Sequence, residues 1–437
     1  MDCGGGTTDL SACRFKVTNE KSAYNIQIET TYENGDPDFG GDNLTFRIMQ
    51  LLKISLAREI LGAGASLHDI VTNMYEDVYS FVEEQGVKAY YNLLDEVYAS
   101  AESIIPTKFK EHEYELQADF HKIRNNMYFL FTLAEKVKKE LFSDAQILQV
   151  TVGCTPSWRS VEHSHIYAPP WKLAANIKGK LSTLKEFPQL SLSSALVNTV
   201  LSAEIYDIIN CFFGRLYESG ELDNYEFINL TGQSCKIDVF KRCVKEYVPG
   251  KLMRGMREER TEEYHLKLTC IDGVIHYLSD QRLGYANVAM KQGEPSYPYE
   301  LCGYTHSGVK VTLIEPLNKR RTSGSISRAL GSVELRLHLH NARGEEKHIY
   351  TIFCEPDTFD KVTYEDIAEI YGPLIPQGDM DIVINGEVCY FIHADAGAWG
   401  FSVIPISRDD DQVYLGPKQI FPFESESWII HYFDGTW

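Results

Sequence analysis

The sequence predicts an α/β chain that gives way to a mostly β C-terminal domain. Three observations predict it: a glycine-rich turn between β-favouring stretches opens the chain, helix-period apolar patterns recur between residues 44 and 247, and period-two alternation replaces them beyond residue 286. At 437 residues the chain exceeds one compact core, and a prior of roughly 150 residues per domain suggests two to four domains.

The elements follow in order. Leu10 to Val17 and Asn25 to Tyr32 alternate as strands, with the polar residues Thr18 to Ser22 as a hairpin loop. The turn cluster Glu33 to Pro37 and the pair Gly40-Gly41 precede an apolar-periodic run of Phe46, Ile48, Leu51, Leu52, Ile54 and Leu56, which predicts a helix capped by Asp42 or Asn43. Residues 66–104 and 114–143 read as helix-rich and are separated by Pro106; residues 149–190, with Pro156, Pro169 and Pro170, read as short strands and loops. Helical spacing returns at Leu196, Val200, Ile205, Ile209, Phe212 and Leu216 and ends near Gly220. A short strand, Phe227 to Leu230, runs through Thr231-Gly232-Gln233-Ser234 into a helix from Ile237 to Tyr247.

Beyond residue 286, Val333, Leu335, Leu337 and Leu339 alternate with Glu334, Arg336, His338 and His340, the pattern of a strand with one buried face. Further strands are expected at His348 to Cys354, Asp381 to Ile392, Phe401 to Ile406 and Trp428 to Phe433. One helix, Thr363 to Tyr371, carries Thr363 and Asp366 at capping-box spacing.

Charge and cysteine content exclude several functions. Forty-two basic against 62 acidic residues give a net charge of −20, which opposes phosphate-backbone binding over the whole surface, so no nucleic-acid partner is expected. The ten cysteines form no Cys-x-x-Cys pair, and no run approaches a membrane span or a signal peptide. A cytoplasmic protein with no membrane partner is expected.

The strongest chemical signal lies in the first ten residues. A glycine run lets backbone N–H groups approach an anion, a preceding acid can hold the hydration shell of a metal, and a following hydroxyl can bond phosphate or an attacking water. Asp2, Gly4, Gly5, Gly6 and Thr7 supply these groups in that order; the same run also suits a plain glycine-rich hairpin turn.

Asp2-Cys3-Gly4-Gly5-Gly6-Thr7-Thr8-Asp9-Leu10-Ser11 resembles the second phosphate motif of the actin-like ATPase superfamily, most closely of the seventy-kilodalton heat-shock chaperones. Three further stretches resemble that family's landmarks in the same order: Gly35 to Asn43 with its Gly40-Gly41 turn, Thr132 to Leu141, and the adenosine motif Ile228 to Ile237. The resemblance implies an actin-like (ribonuclease H-like) second lobe over residues 1–285, with a helical insertion and subdomain at about 61–190, and a β-rich accessory domain over 286–437. It implies ATP or ADP with Mg²⁺ as ligands. Gly4, Gly5, Gly6 and the catalytic Thr7 would contact the phosphates, and Asp2, also catalytic, would hold Mg²⁺ through water. Gly40 and Gly41 would complete the phosphate side; Glu135, Lys138 and Lys139 would hold the ribose and base, opposite Gly232, Gln233, Ser234 and Lys236.

Gln233 departs from the family's motif, which carries a second glycine at that position, and the family's first lobe has no counterpart in this sequence. The resemblance therefore implies a truncated chaperone that hydrolyses ATP only when a first lobe is supplied, with a protein client or that lobe as partner. The alternative is a non-catalytic protein that keeps the actin-like shell and binds a partner through the insertion and the β domain. On residue pattern alone, Lys138 and Lys139 also fit a solvated helix face. His163-Ser164-His165 near Cys154, and His338 with His340, could suggest metal ligands, but the second pair lies on one face of a strand without an obvious third ligand and is expected to be a polar strand face. Asp409-Asp410-Asp411 reads as an acidic turn, and Trp399 and Trp428 as core fillers.

Overall fold

Strand β1 (Asp2–Cys3) precedes a long pair, β2 (Thr8–Glu20) and β3 (Ala23–Asp36). Helices α1 (Gly41–Leu61), α2 (Leu67–Thr72), α3 (Val78–Gln85), α4 (Val87–Ala101) and α5 (Gln117–Leu141) follow. Then come β4 (Gln149–Gly153), β5 (His163–Tyr167), β6 (Ala174–Ile177), β7 (Lys180–Thr183), β8 (Leu190–Ser193), α6 (Ser194–Glu218), β9 (Ile228–Asn229), α7 (Asp238–Lys245), β10 (Met253–Arg254) and α8 (His265–Leu283). The remainder comprises β11 (Ala286–Lys291), β12 (Glu300–Tyr304), β13 (Lys310–Ile314), β14 (Ser323–Ala329), β15 (Glu334–His340), β16 (Glu346–Phe353), β17 (Asp360–Val362), α9 (Tyr364–Tyr371), β18 (Glu387–Asp395), β19 (Gly400–Asp409), β20 (Gln412–Leu415) and β21 (Gln419–Pro422). This computed structural model describes residues 1–20, 23–62, 64, 66–72, 74, 77–114, 116–155, 160–254, 265–291, 296–331, 334–372, 374–375, 383–410, 412–425, 427–428 and 432–436. The expectations placed on Pro156, Val333, Asp381 and Asp411 lie outside the described residues.

The chain is mixed α/β and divides into two compact units, one of Met1–Thr8, Pro37–Gly273 and Ile430–Trp437, the other of Asp9–Asp36 and Val274–Ile429. In the first unit, α1 and α6 run through the core: Leu44, Ile48, Met49, Leu51, Leu52 and Leu56 from α1, and Val197, Val200, Leu201, Ile205, Ile209 and Phe212 from α6, are all buried. These positions follow the 3.6-residue period, so each helix turns an apolar face inward. Of the described helices, α6 is long and apolar enough to cross a membrane, yet 61 % of its most apolar window is buried in the fold, as a core helix would be.

The helix cap of α1 differs from expectation. Gly40 is the N-cap, and Asn43 sits inside the helix, where its Oδ1 accepts the Gly40 N–H at 2.8 Å and its Nδ2 donates to Asp38 O at 2.9 Å. Lys53 on α1 is fully buried; it ion-pairs with Glu102 and donates to Thr107 Oγ1 at 2.9 Å, with its ammonium 4.2 Å from the centre of the Tyr98 ring. Burial pulls the Lys53 pKa down to about 8 against the opposing charge of Glu102. The residues expected to form a strand from Trp428 to Phe433 do not: described residues there are in turns. In the first unit, Tyr432 instead stacks on Phe46 of α1 at 4.8 Å and Phe433 meets Phe131 of α5 edge-on at 4.6 Å, with Phe433 still 44 % exposed.

In the second unit two antiparallel sheets share one core. The first has the order β13-β12-β15-β16, the second β14-β18-β19-β20-β17 with β21 on β19. Leu335, Leu337 and Leu339 of β15 meet Val388, Tyr390 and Ile392 of β18 and Phe401 and Val403 of β19 in a single buried cluster. The alternate residues Cys389, Phe391, Ile404 and Ile406 face the other way and pack with Ile367 of α9. A period of two thus supplies both layers from the same strands. The capping box of α9 forms as expected: Thr363 Oγ1 accepts the Asp366 N–H at 3.2 Å and Asp366 Oδ2 accepts the Thr363 N–H at 2.8 Å. β3 pairs in parallel with β11, so the hairpin strands belong to the compact unit of the β-rich residues. Trp399 is 39 % exposed at the rim, against Tyr297 and Phe423, whereas Trp428 stacks on His348 at 3.9 Å and is partly buried against the core.

Helix α8 had no counterpart in the sequence reading. Its apolar residues Leu268, Ile271, Val274, Ile275 and Leu278 recur at three- and four-residue spacing, and all five are exposed.

Candidate functional site

Four chain segments meet at the start of α1 in the first unit. The segment around β1 runs beside residues 229–231, with Cys3 N–H donating to Thr231 O at 3.1 Å and Thr231 N–H to Met1 O at 2.8 Å. The turn that follows is closed by Gly4 N–H to Thr7 O at 2.9 Å. Thr8, fully buried, ties the end of the turn to the next segment by donating to Phe39 O at 2.9 Å.

The glycine turn caps α1 with its carbonyls. Gly41 N–H donates to Gly4 O at 2.9 Å and Asp42 N–H to Gly5 O at 2.7 Å, so two of the orphan donors at the helix start are satisfied from residues 37 positions away in sequence. This approach demands glycine at position 40: a Cβ there would lie 2.5 Å from Gly5 O and 2.6 Å from Gly5 C. At Gly41 it would lie 2.7 Å from Ser234 Oγ. Gly5 and Gly6 are different. Both are exposed, and a Cβ on either would meet nothing within 4 Å. The chain itself leaves their outer side open.

Gly232 and Ser234 close the second side. Gly232 has φ of 82°, and a Cβ on it would lie 2.2 Å from Cys3 O and 2.4 Å from an Asp2 carboxylate oxygen. Ser234 is buried and donates to Gly4 O at 3.1 Å, whereas Gln233 and Lys236 are exposed. Cys3 and Cys235 are buried beneath the two turns, and burial pushes the Cys3 thiol up to about 11 and the Cys235 thiol further up, so both are packing groups and not nucleophiles.

Helix α5 supplies the third side. Lys138 Nζ donates to Gly41 O at 2.8 Å and Thr45 Oγ1 at 2.6 Å and pairs with Glu135 at 2.7 Å, while the Thr45 hydroxyl donates to Glu135 at 2.6 Å. All three ammonium protons therefore have acceptors within the fold. Burial by itself would raise the Glu135 carboxyl, but the Lys138 charge and the hydrogen bonds from Lys138, Thr45 and Lys139 outweigh it and hold the pKa below its ordinary value. Asp42 has the opposite balance: burial raises its carboxyl against the Lys138 charge. Lys139 pairs with the other Glu135 oxygen at 3.3 Å and is 74 % exposed.

The residues that carried the family resemblance divide into two sets. Gly4, Gly40, Gly41, Lys138, Gly232 and Ser234, with the carbonyl of Gly5, hold the segments together. Gly5, Gly6, Thr7, Lys139, Gln233 and Lys236 are exposed, Asp2 is half-buried, and Glu135 keeps 30 % of its side chain accessible. Sequence spacing did not reveal Thr45, whose hydroxyl links Lys138 to Glu135; its other contact, to the Gly41 carbonyl four residues back at 2.9 Å, is open to any threonine inside a helix and marks no such role.

Other sequence candidates are satisfied locally. His163 bonds Ser160 Oγ at 3.1 Å and Gln149 Oε1 at 3.1 Å, and Cys154 faces the Phe187 carbonyl at 3.6 Å. Asp410, with φ of 49°, closes a turn against Asn385. The described cysteines with assigned surroundings are free thiols. No protein-family model matches the chain, and no curated protein matches its sequence.

Proposed function

We infer that the first unit binds ATP or ADP at this junction, as the nucleotide-binding second lobe of a heat-shock-70-like chaperone ATPase acting in the cytoplasm. One observation carries the reading: segments 1–8, 40–45, 135–139 and 231–236, from four stretches that each resemble a different landmark of that family, converge on one helix start, with Gly5 and Gly6 open on the outer side. A backbone without side chains can bring a phosphate within hydrogen-bonding distance.

The chain's own groups have distinct tasks in this reading. Gly5, Gly6 and Thr7 bind phosphate oxygens; Lys139, Gln233 and Lys236 contact the nucleoside. Lys138 contributes positive charge and positions Glu135, since its hydrogen bonds are committed within the fold. The Asp2 carboxylate, set between the two glycine turns, is the hard oxygen donor that fits Mg²⁺ through water. When bound, Mg²⁺ neutralises phosphate charge. Phosphoryl transfer needs stabilisation from all sides, so turnover requires a first lobe supplied by further chain or another polypeptide. A protein client would be coupled through the β-rich unit.

Calorimetric titration of the full chain with ADP and Mg²⁺ tests the reading. Saturable binding is expected, with negligible hydrolysis of ATP by the chain alone; no binding of either nucleotide overturns it. The complete use of Lys138 inside the fold favours a second reading, a non-catalytic interaction protein in which the junction is purely structural. That reading predicts partner binding unaffected by nucleotide.

A further inference from the structure

On the outer face of the first sheet of the β-rich unit, three donors of different chemistry converge. β12 and β15 are antiparallel with Glu300 opposite His340 and Cys302 opposite His338. Residues two apart on a strand share a face, so Glu300 and Cys302 project beside His338 and His340, while Leu301, Leu337 and Leu339 enter the core on the other side. Cys302 Sγ and Glu300 Oε2 each lie 3.8 Å from His340 Nδ1, and the ligand atoms of all three residues fall within 4.8 Å of one another. A tetrahedral ion with bonds of 2.0–2.3 Å would separate such ligands by about 3.3–3.6 Å. Movements of a few tenths of an ångström to about an ångström suffice.

We propose that Glu300, Cys302 and His340 form a binding site for a divalent transition-metal cation, with zinc the best match. Thiolate, imidazole and carboxylate together suit zinc and disfavour magnesium or calcium, which take oxygen ligands. Three protein ligands leave a fourth position for water, the arrangement of an open site. The site is shielded but reachable: Cys302 is fully buried, and the side chains of His340 and Glu300 are 14 % and 18 % exposed. His338 is held apart by its own bond to Glu346 at 2.7 Å and borders the site without joining it.

The surroundings prepare the donors. Burial opposes it, but hydrogen bonds from Lys310 and Thr312 and the Lys310 charge hold the Glu300 carboxyl below its ordinary value, so it is anionic at neutral pH. Thr312 Oγ1 donates to Glu300 Oε1 at 2.9 Å and fixes the carboxylate plane, leaving Oε2 toward His340. Lys310 donates to that same Oε2 at 2.8 Å and is therefore a competitor for the cation. Burial pushes the Cys302 thiol up to about 11, so coordination forms the sulfur–metal bond as the thiol proton passes to solvent. The sequence concealed the site because the two histidines lie on β15 and the other two ligands on β12, joined only by sheet pairing.

The test uses the full chain, stripped with chelator and titrated with Co²⁺ alone and then Zn²⁺. One equivalent of Co²⁺ should give a thiolate-to-metal charge-transfer band that Zn²⁺ abolishes. The band should vanish in Cys302→Ser and survive in Cys13→Ser, and Zn²⁺ should bind at least about tenfold more weakly to His340→Ala and Glu300→Gln. Lys310→Met, an exposed change that removes no ligand, should tighten binding about two- to five-fold by freeing Oε2. Circular dichroism confirms that each variant is folded. No band in the wild-type chain, a band that persists in Cys302→Ser, or unchanged or weaker binding by a folded Lys310→Met would overturn the proposal.

Discussion

Gly5→Val and Gly40→Ala separate what the glycines do for the fold from what they do for a ligand. At position 40 the added Cβ would sit 2.5 Å from Gly5 O, 2.6 Å from Gly5 C and 2.7 Å from Gly6 C, all backbone atoms with no rotamer to relieve them. Either the glycine turn or the start of α1 must move, breaking the Gly4 and Gly5 carbonyl caps. Overpacking of this kind costs about 1–3 kcal/mol, or a fall in Tm of about 2–12 °C for a unit of this size. At position 5 the Cβ meets nothing within 4 Å and φ is not in the left-handed region, so Gly5→Val should leave stability within about 1 kcal/mol of wild type. In the proposed function the valine stands where phosphate would approach. Losing one hydrogen bond to a charged group, about 1.5–3 kcal/mol, weakens ADP binding about 10- to 150-fold. Thermal unfolding reads the first effect and calorimetric titration with ADP and Mg²⁺ the second. A Gly5→Val chain that binds ADP like wild type would refute the phosphate role of the turn; a Gly5→Val chain as unstable as Gly40→Ala would refute the packing argument itself.

Four further predictions concern the fold. Removing the partner of a buried charge is costly, so Glu102→Ala should destabilise by about 3–5 kcal/mol, whereas Lys53→Met should be neutral or stabilising; denaturant midpoints decide, and equal losses would contradict it. The same pair has a pH signature. Glu102 is held below its ordinary 4.5, despite the raising effect of burial, mainly by Lys53, so its contribution is present above pH 4.5 and is lost as pH falls through the folded value. Lys53, lowered by burial from 10.5 to about 8, binds its proton more weakly folded than unfolded, so its cost is full below pH 8 and is relieved as pH rises to 10.5. The wild-type midpoint should therefore climb relative to Lys53→Met between pH 8 and 10.5; a constant difference would exclude the mechanism. Leu337→Ala, in the fully buried layer between the two sheets, should cost about 2–5 kcal/mol by chemical denaturation, and less than about 1 kcal/mol would mean that the sheets do not pack through this residue. Thr363→Ala removes the hydroxyl that caps α9 and should cost about 0.5–2 kcal/mol; no change would show that Asp366 alone holds the helix start.

Much of the local structure was legible because its causes are local. The spacing of Leu196 to Leu216 marks α6, alternation from Leu335 to Leu339 marks a half-buried strand, and Thr363 with Asp366 marks the start of α9, since each pattern is set by residues a few positions apart. Where local cues conflicted or were absent, the reading failed. Asp42 and Asn43 both look like caps, but Gly40 is the N-cap, with Asn43 closing on it from inside the helix and the Gly4 and Gly5 carbonyls taking the next two N–H groups. Trp428 to Phe433 look like a strand, but the rings of Tyr432 and Phe433 pack against Phe46 of α1 and Phe131 of α5.

By itself the sequence determined the residue types from which both candidate sites are built: glycines able to approach an anion, a Glu–Lys pair one helical turn apart, and two histidines on one face of a strand. Only the tertiary structure decided which of them meet. Ser234 reaches Gly4 across 230 residues and Lys138 reaches Gly41 across 97, and those contacts turn Lys138 from an exposed ligand group into a tie between helices. Cys302 and Glu300 join His340 only through the register of β12 on β15. The physical reason is the range of the forces: backbone propensity, capping and periodicity act over one or two turns of chain. Close approach of distant carbonyls, carboxylates and thiols is set by which apolar faces are buried against each other.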